Sequence, residues 1–153
     1  MTSPTPTPTL GAEQQALVDA LRAEHAAVYA YGLIAAFANP TRIGQVSADA
    51  AAHRARRDAT ADALVSASVT PPGAEPGYTV PFPVTDPISA AQLAARVEAD
   101  TAVAWRSVIE RARSEHTRGV GVDALTESAL RLANWQVVLG VTPPTTAFPG
   151  QPA

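Results

Sequence analysis

The chain has 153 residues with 14 acidic and 11 basic side chains, so its formal net charge is −3 and it contains no cysteine. The length fits one domain with a sizeable core, and the charge argues against a nucleic-acid-binding surface. The missing cysteines exclude disulfides and thiolate metal sites. Alanine, the strongest helix former, is the commonest residue, which predicts an all-α protein.

The N-terminal segment, residues 1–10, repeats threonine and proline and is predicted to be a disordered arm. We expect a helical bundle over residues 11–140 and an extended tail over residues 141–153. The sequence shows no apolar leader and no uncharged run long enough to cross a membrane. A cytoplasmic protein that binds neither membrane nor nucleic acid is therefore expected.

The first helix is predicted from residue 11 or 12 to residue 37 or 38. At ~100° per residue, Glu24 and Tyr31 lie on the same face as the apolar residues Leu17 and Leu21. A carboxylate on a core-facing stripe costs free energy unless it is paired, protonated or bound to a metal. The group that faces Glu24 is therefore the central question for this chain.

The second helix is predicted over about residues 40–67, with Asn39 as its N-cap and Pro40 as its first residue. Its apolar stripe is interrupted by His53 and Arg57. Residues 68–88 are rich in proline and show no helical period.

The third helix is predicted from about 89 to 117, with Glu98 on its apolar side. Gly119 and Gly121 are expected to interrupt the helical segment, and the fourth helix is predicted from about 122 to 139. A proline-rich segment of about 20 residues reaches ~60 Å, which exceeds the ~40 Å length of such helices. We therefore expect a four-helix bundle of two antiparallel hairpins joined by a long proline-rich crossover. Its alanine-rich faces allow a homodimer.

Antiparallel pairing of the first two helices brings Glu24 and His53 to the same height. Glu98 lies about ten residues into the third helix, near that level. The sequence therefore predicts a buried polar cluster of Glu24, His53, Arg57 and Glu98, with Tyr31 beside it.

The run from residue 23 to residue 32, AEHAAVYAYG, and the predicted architecture resemble the ferritin-like superfamily. The resemblance is greatest to an uncharacterised ferritin-like family of GC-rich bacteria, and it extends to HRARRD at 53–58, VTD at 84–86 and FPG at 148–150. In that superfamily the first and third helices each supply a glutamate. The other two each supply Glu-x-x-His, and the set binds two iron or manganese ions. Glu24 and Glu98 match the first pair.

The rest of the ligand set is incomplete. Ala50 stands three residues before His53, where the superfamily has a glutamate, and the fourth helix contains no histidine after residue 122. Glu127 lies on the polar face of that helix, where a pair with Arg131 is expected. The resemblance therefore implies a degenerate di-metal site.

Three arrangements of the cluster stay open. In the first, a single divalent metal is bound by Glu24, His53 and Glu98. In the second, Arg57 takes the place of the metal and bonds both carboxylates. In the third, the groups are more exposed and are unrelated to one another. We expect the second arrangement, which needs no cofactor and predicts a non-enzymatic structural or interaction module. The first favours an iron- or manganese-dependent ferritin-like oxidoreductase. A bundle with a ligand cavity near the polar centre is a further alternative.

Overall fold

The computed structural model describes residues 1–5 and 9–152, and within these residues it contains four α-helices and no β-strand. The helices are α1 (Ala12–Phe37), α2 (Ile43–Ser66), α3 (Pro87–Arg111) and α4 (Glu115–Val138). The predicted all-α, four-helix class is confirmed. No helix in the described ranges is long and apolar enough to span a membrane. Part of the predicted N-terminal arm, residues 6–8, lies outside the described residues, and its disorder stays a prediction.

The turn between α1 and α2 follows the expected capping chemistry. The Asn39 side chain accepts a hydrogen bond from the Thr41 backbone N–H at 3.0 Å, and Pro40 opens a short 3₁₀ turn that ends at Arg42. The α-helix itself starts only at Ile43. Proline is suited to this first position because its missing N–H would have no helical partner there.

The start of α3 uses a reciprocal cap between Asp86 and Ser89. Asp86 Oδ1 accepts from the Ser89 N–H at 2.7 Å, and Ser89 Oγ accepts from the Asp86 N–H at 3.1 Å. Asp86 is therefore the N-cap, and the helix starts at Pro87, two residues before the predicted start near residue 89.

The predicted boundary between the last two helices was wrong. The third helix ends at Arg111, and Ser114 caps the fourth by accepting from the Thr117 N–H at 3.0 Å. Gly119 and Gly121 consequently lie inside α4. A Cβ atom at Gly121 would lie 2.8 Å from Ile109 Cγ1, so this glycine lets α4 approach α3 closely.

Packing places a polar layer between two apolar clusters. Helix α1 packs against α2 and α3, and α3 also packs against α4. One cluster contains Ile34 and Leu93, and the other contains Leu21 and Leu64. In α1, α2 and α3 alike, the chain passes from one cluster to the other through buried polar residues. These residues form the candidate site.

The segment between α2 and α3, residues 67–86, follows α1. His25 Nε2 lies 3.0 Å from the Pro72 carbonyl oxygen, and the rings of Tyr29 and Tyr78 are 5.3 Å apart. Further along the segment, Val84 is buried in the apolar cluster that also contains Ile34. The proline-rich segment thus covers one side of the bundle core.

Candidate functional site

Three helices contribute one buried polar side chain each to the centre of the bundle. Glu24 on α1, His53 on α2 and Glu98 on α3 are at most 1% exposed. The His53 ring lies between the two carboxylates, with Nδ1 2.6 Å from Glu24 Oε2 and Nε2 2.9 Å from Glu98 Oε1. The three residues predicted to meet do so, because their helices present them at one level.

The two carboxylates control the protonation of His53. Burial by itself lowers the pKa of an imidazole, but the hydrogen bonds to Glu24 and Glu98 and their negative charges outweigh it and raise the pKa of His53 to about 9. At neutral pH the ring is therefore an imidazolium that donates from both nitrogens. An imidazolium has no lone pair with which to bind a metal.

Aromatic side chains supply further donors. Tyr31 OH donates to Glu98 Oε1 at 2.6 Å, and Trp105 Nε1 donates to Glu24 Oε1 at 2.7 Å. Trp135 Nε1 donates a hydrogen bond to Tyr31 OH at 3.1 Å. Tyr31 was expected beside this cluster, whereas Trp105 was not among its predicted members.

The cation of the cluster is Arg131 on α4 instead of Arg57. Arg131 Nε donates to Glu98 Oε2 at 3.1 Å, while Arg57 Nε donates to the exposed neighbouring carboxylate of Asp58 at 2.8 Å. The long Arg57 side chain can leave the apolar face and reach solvent, which avoids the cost of burying its charge. The prediction that Arg57 belongs to the cluster was therefore wrong.

The prediction of a surface ion pair between Glu127 and Arg131 was also wrong. Since Arg131 is directed at Glu98, Glu127 Oε2 instead accepts from Arg56 Nη2 at 2.8 Å, which links α4 to α2.

Asp49, which sequence reasoning missed, borders the cluster. Its Oδ2 atom accepts from Trp135 Nε1 at 3.0 Å, and it lies 3.4 Å from Tyr31 OH. Burial, together with the nearby charge of Glu98, raises the pKa of Asp49. A signal was present in the sequence, because Asp49 lies four residues before His53 and therefore on a similar face of α2.

Each oxygen of the two buried glutamates accepts a hydrogen bond from a protein donor. For Glu24 these donors are Trp105 and His53, and for Glu98 they are His53, Tyr31 and Arg131. Across residues 1–5 and 9–152, no group of three histidine or carboxylate side chains is arranged to hold a metal ion. With these hydrogen bonds in place, the side chains of Glu24, His53 and Glu98 therefore do not form a metal-binding site.

An apolar cavity of about 180 Å³ lies close to this layer, between α1, α3 and the proline-rich segment. Ala27 and Val97 line its inner side, and Tyr29 and Tyr78 contribute to its wall. Its lining includes none of the carboxylates of the layer.

The fold and the site together define a class of protein: a four-helix bundle with a buried carboxylate–imidazolium–carboxylate layer completed by an arginine from α4. The chain belongs to the family described as "Domain of unknown function (DUF4439)", which matches residues 16–153.

A solved structure is also similar to this chain. It is the crystal structure of a conserved hypothetical protein, rv2844, from Mycobacterium tuberculosis, with 41% sequence identity and a TM-score of 0.82. The alignment covers 84% of this chain and 97% of the other. No curated protein matches the chain.

Proposed function

We propose that this protein is a ferritin-like bundle in which protein side chains replace the di-metal centre, and that it is a structural or interaction module rather than an enzyme. The observation that carries the proposal is that each of the four oxygens of Glu24 and Glu98 already accepts a hydrogen bond from a protein donor. A metal ligand must offer a free lone pair in the direction of the metal. Here the protonated His53 ring offers no lone pair, and an N–H or O–H group already lies against every carboxylate oxygen.

Charge supports the same conclusion. Arg131 is permanently charged and His53 is held as an imidazolium, so two cations face the two glutamates. These two cations supply the positive charge that a metal would bring. A third positive ion would have to displace Arg131 and remove a proton from His53, at a large electrostatic cost.

The path of the chain supports the ferritin-like assignment. The turns between α1 and α2 and between α3 and α4 are short. The long segment between them contacts α1 at His25, Tyr29 and the apolar cluster around Ile34, which are successive positions along α1. This segment is the proposed crossover that joins the two hairpins, as in ferritin-like bundles with one long connection.

Metal analysis tests the proposal. The protein is produced with iron and manganese supplied, purified without an affinity tag, and measured by mass spectrometry together with Glu24→Gln and the surface control Glu127→Gln. We expect background metal in all three. About one equivalent of iron or manganese in the parent protein and in Glu127→Gln, lost in Glu24→Gln, would overturn the proposal and favour the metal-dependent oxidoreductase.

The protonation of His53 provides a second measurement that does not depend on metal supply. The ¹⁵N chemical shifts of its ring report whether both nitrogens carry protons. We expect the imidazolium pattern at neutral pH, because the ring is held between two carboxylates. A neutral ring would contradict the proposed replacement.

A further inference from the structure

The apolar cavity between α1, α3 and the proline-rich segment has the size of a small-molecule site. Its volume is about 180 Å³, and the alanines Ala26, Ala27 and Ala30 line it from α1. Leu93 and Val97 line it from α3. Apolar cavities of about 150 Å³ stay dry and bind a molecule of the size of benzene. The space therefore fits a ligand with a single ring.

The wall that the proline-rich segment contributes to this cavity is held in place by contacts with the bundle. The Tyr78 ring lies 5.3 Å from the Tyr29 ring of α1, and Val80 packs against the apolar cluster that contains Ile34. Val84, further along the segment, is buried in that cluster. The cavity is therefore formed before a ligand arrives. Binding does not require the segment to become ordered, which favours affinity.

The same wall carries backbone polar groups without a protein partner. In the part of the chain that the structure describes, the N–H and carbonyl groups of Thr79 and Val80 take part in no hydrogen bond. Val80 is half-buried and borders the cavity. Ligand pockets combine an apolar lining with a few polar groups that orient the ligand. These backbone groups can donate a hydrogen bond to a hydroxyl group of a bound molecule or accept one from it.

The charged groups of the cavity neutralise each other. Among the described residues that line it, only Arg96 and Asp100 are charged, and Arg96 Nε lies 3.1 Å from Asp100 Oδ1. Their side chains are 56% and 62% exposed, so the pair lies where the cavity meets solvent. A charged ligand would lose its hydration inside the cavity without gaining an unpaired counter-ion. An uncharged ligand is therefore favoured.

We propose that this cavity binds a small uncharged molecule with one aromatic ring and one hydroxyl group. The ring occupies the apolar space, where Tyr29 and Tyr78 contribute to the wall and favour an aromatic partner over an aliphatic one. The hydroxyl group bonds to the backbone at Thr79 or Val80. The proposal is independent of the replacement of the metal centre, because the carboxylates of the polar layer do not line this cavity.

Phenol is the probe that tests the site. The full chain, labelled with ¹⁵N, is titrated with phenol and followed by two-dimensional NMR. We expect saturable shifts, with the largest changes at the backbone amides of Ala27, Val80 and Val97. No saturable shift up to about 10 mM phenol, or shifts confined to other parts of the bundle, would overturn the proposal.

Two further ligands test the chemical class. Benzoate has the same ring but a negative charge, so it should bind at least about 10-fold more weakly than phenol. Toluene has a similar size but no hydroxyl group, and phenol should bind at least as tightly as toluene because its hydroxyl group finds a backbone partner. Tighter binding of benzoate than of phenol, or binding of toluene that is about 10-fold tighter than that of phenol, would contradict the assigned class.

Variants that fill the cavity provide the matched control. Ala26 is half-buried at the cavity, whereas Ala36 is exposed and outside it on the same helix. Ala26→Leu occupies the space, so the dissociation constant for phenol should rise at least about 10-fold, while Ala36→Leu should leave it unchanged. Ala23→Leu, about one turn earlier on α1, fills the same cavity and should act like Ala26→Leu. The melting temperature of each variant verifies that it is folded. Unchanged phenol binding in the folded Ala26→Leu and Ala23→Leu variants would show that the ligand does not occupy this cavity.

Discussion

The Nε atom of Arg131 lies 3.1 Å from the Oε2 atom of Glu98, and the carboxylate has no solvent exposure. Arg131 is on α4 and Glu98 is on α3, so the contact ties the last helix to the polar layer. The arginine side chain is 13% exposed, so part of the guanidinium remains near water. The contact therefore limits the cost of burying an arginine while it neutralises a fully buried carboxylate.

Removal of the Arg131 charge should destabilise the fold strongly. In Arg131→Met, Oε2 of Glu98 loses its charged partner while His53 and Tyr31 still donate to Oε1, so the loss should be about 1.5–3 kcal/mol, the usual range for a hydrogen bond to a charged group. Urea unfolding followed by circular dichroism measures the free energy of unfolding. Arg57→Met is the control and should stay within about 0.5 kcal/mol of the parent, because its partner Asp58 is exposed. Equal losses in the two variants would contradict the assignment of Arg131.

Stability should fall as the pH rises from about 6.5 to about 9. The pKa of His53 is about 9 in the folded protein and 6.5 in the unfolded chain. Below pH 6.5 both states hold the proton and the stabilisation is complete. Between the two values only the folded state holds it, so the free energy of unfolding decreases by up to ~1.4 kcal/mol per pH unit. Above pH 9 this stabilisation is lost.

Urea titrations across this pH range provide the measurement. His53→Gln should flatten the pH dependence, whereas the exposed-site variant His116→Gln should retain it. A parent protein with constant stability over this range would show that His53 is not held as an imidazolium.

Loss of the Tyr31 hydroxyl should cost about 1.5–3 kcal/mol, the usual range for a hydrogen bond to a charged group. Tyr31→Phe removes the 2.6 Å bond to Glu98, while Trp135 keeps Asp49 as an acceptor. Thermal and urea unfolding measure the effect. The matched control is Tyr29→Phe at a 45% exposed position, which should be neutral within about 0.5 kcal/mol. Similar effects of the two substitutions would argue against a charge-assisted bond at Tyr31.

Two glycines in α4 should respond to alanine with opposite signs. Gly119 has open space around the position of a Cβ atom, so Gly119→Ala should stabilise the helix by about 0.5–1 kcal/mol. At Gly121 the new Cβ would lie 2.8 Å from Ile109 Cγ1, and overpacking should cost about 1–3 kcal/mol. Melting temperatures of the two variants would reveal this difference. Stabilisation by both would mean that α3 and α4 are not in close contact here.

Helical periodicity was sufficient to find most of the polar layer. Glu24 and Glu98 each fall on an otherwise apolar face, and His53 interrupts the apolar stripe of the second helix. The short turn after Phe37 then fixes their relative heights, because antiparallel helices advance equally in opposite directions. These are local properties of the chain, and for that reason they could be predicted.

The cationic partner of Glu98 could not be predicted in this way. Arg57 and Arg131 both have side chains long enough to reach a neighbouring helix or to turn back to solvent. Which of them reaches Glu98 depends on how closely α4 packs against α3, and that approach depends on Gly121. Sequence reasoning interpreted this glycine as a break, since a glycine that ends a helix and one that permits close packing look alike in a sequence.

The sequence by itself determined the helical class, the short first turn and the buried positions of Glu24, His53 and Glu98, because each follows from local spacing and capping. The tertiary structure alone decided that Arg131 completes the layer, that Trp105 donates to Glu24 and that Tyr31 donates to Glu98. Those contacts join residues far apart in the chain. Their formation depends on the distances between helix axes, which no local pattern encodes.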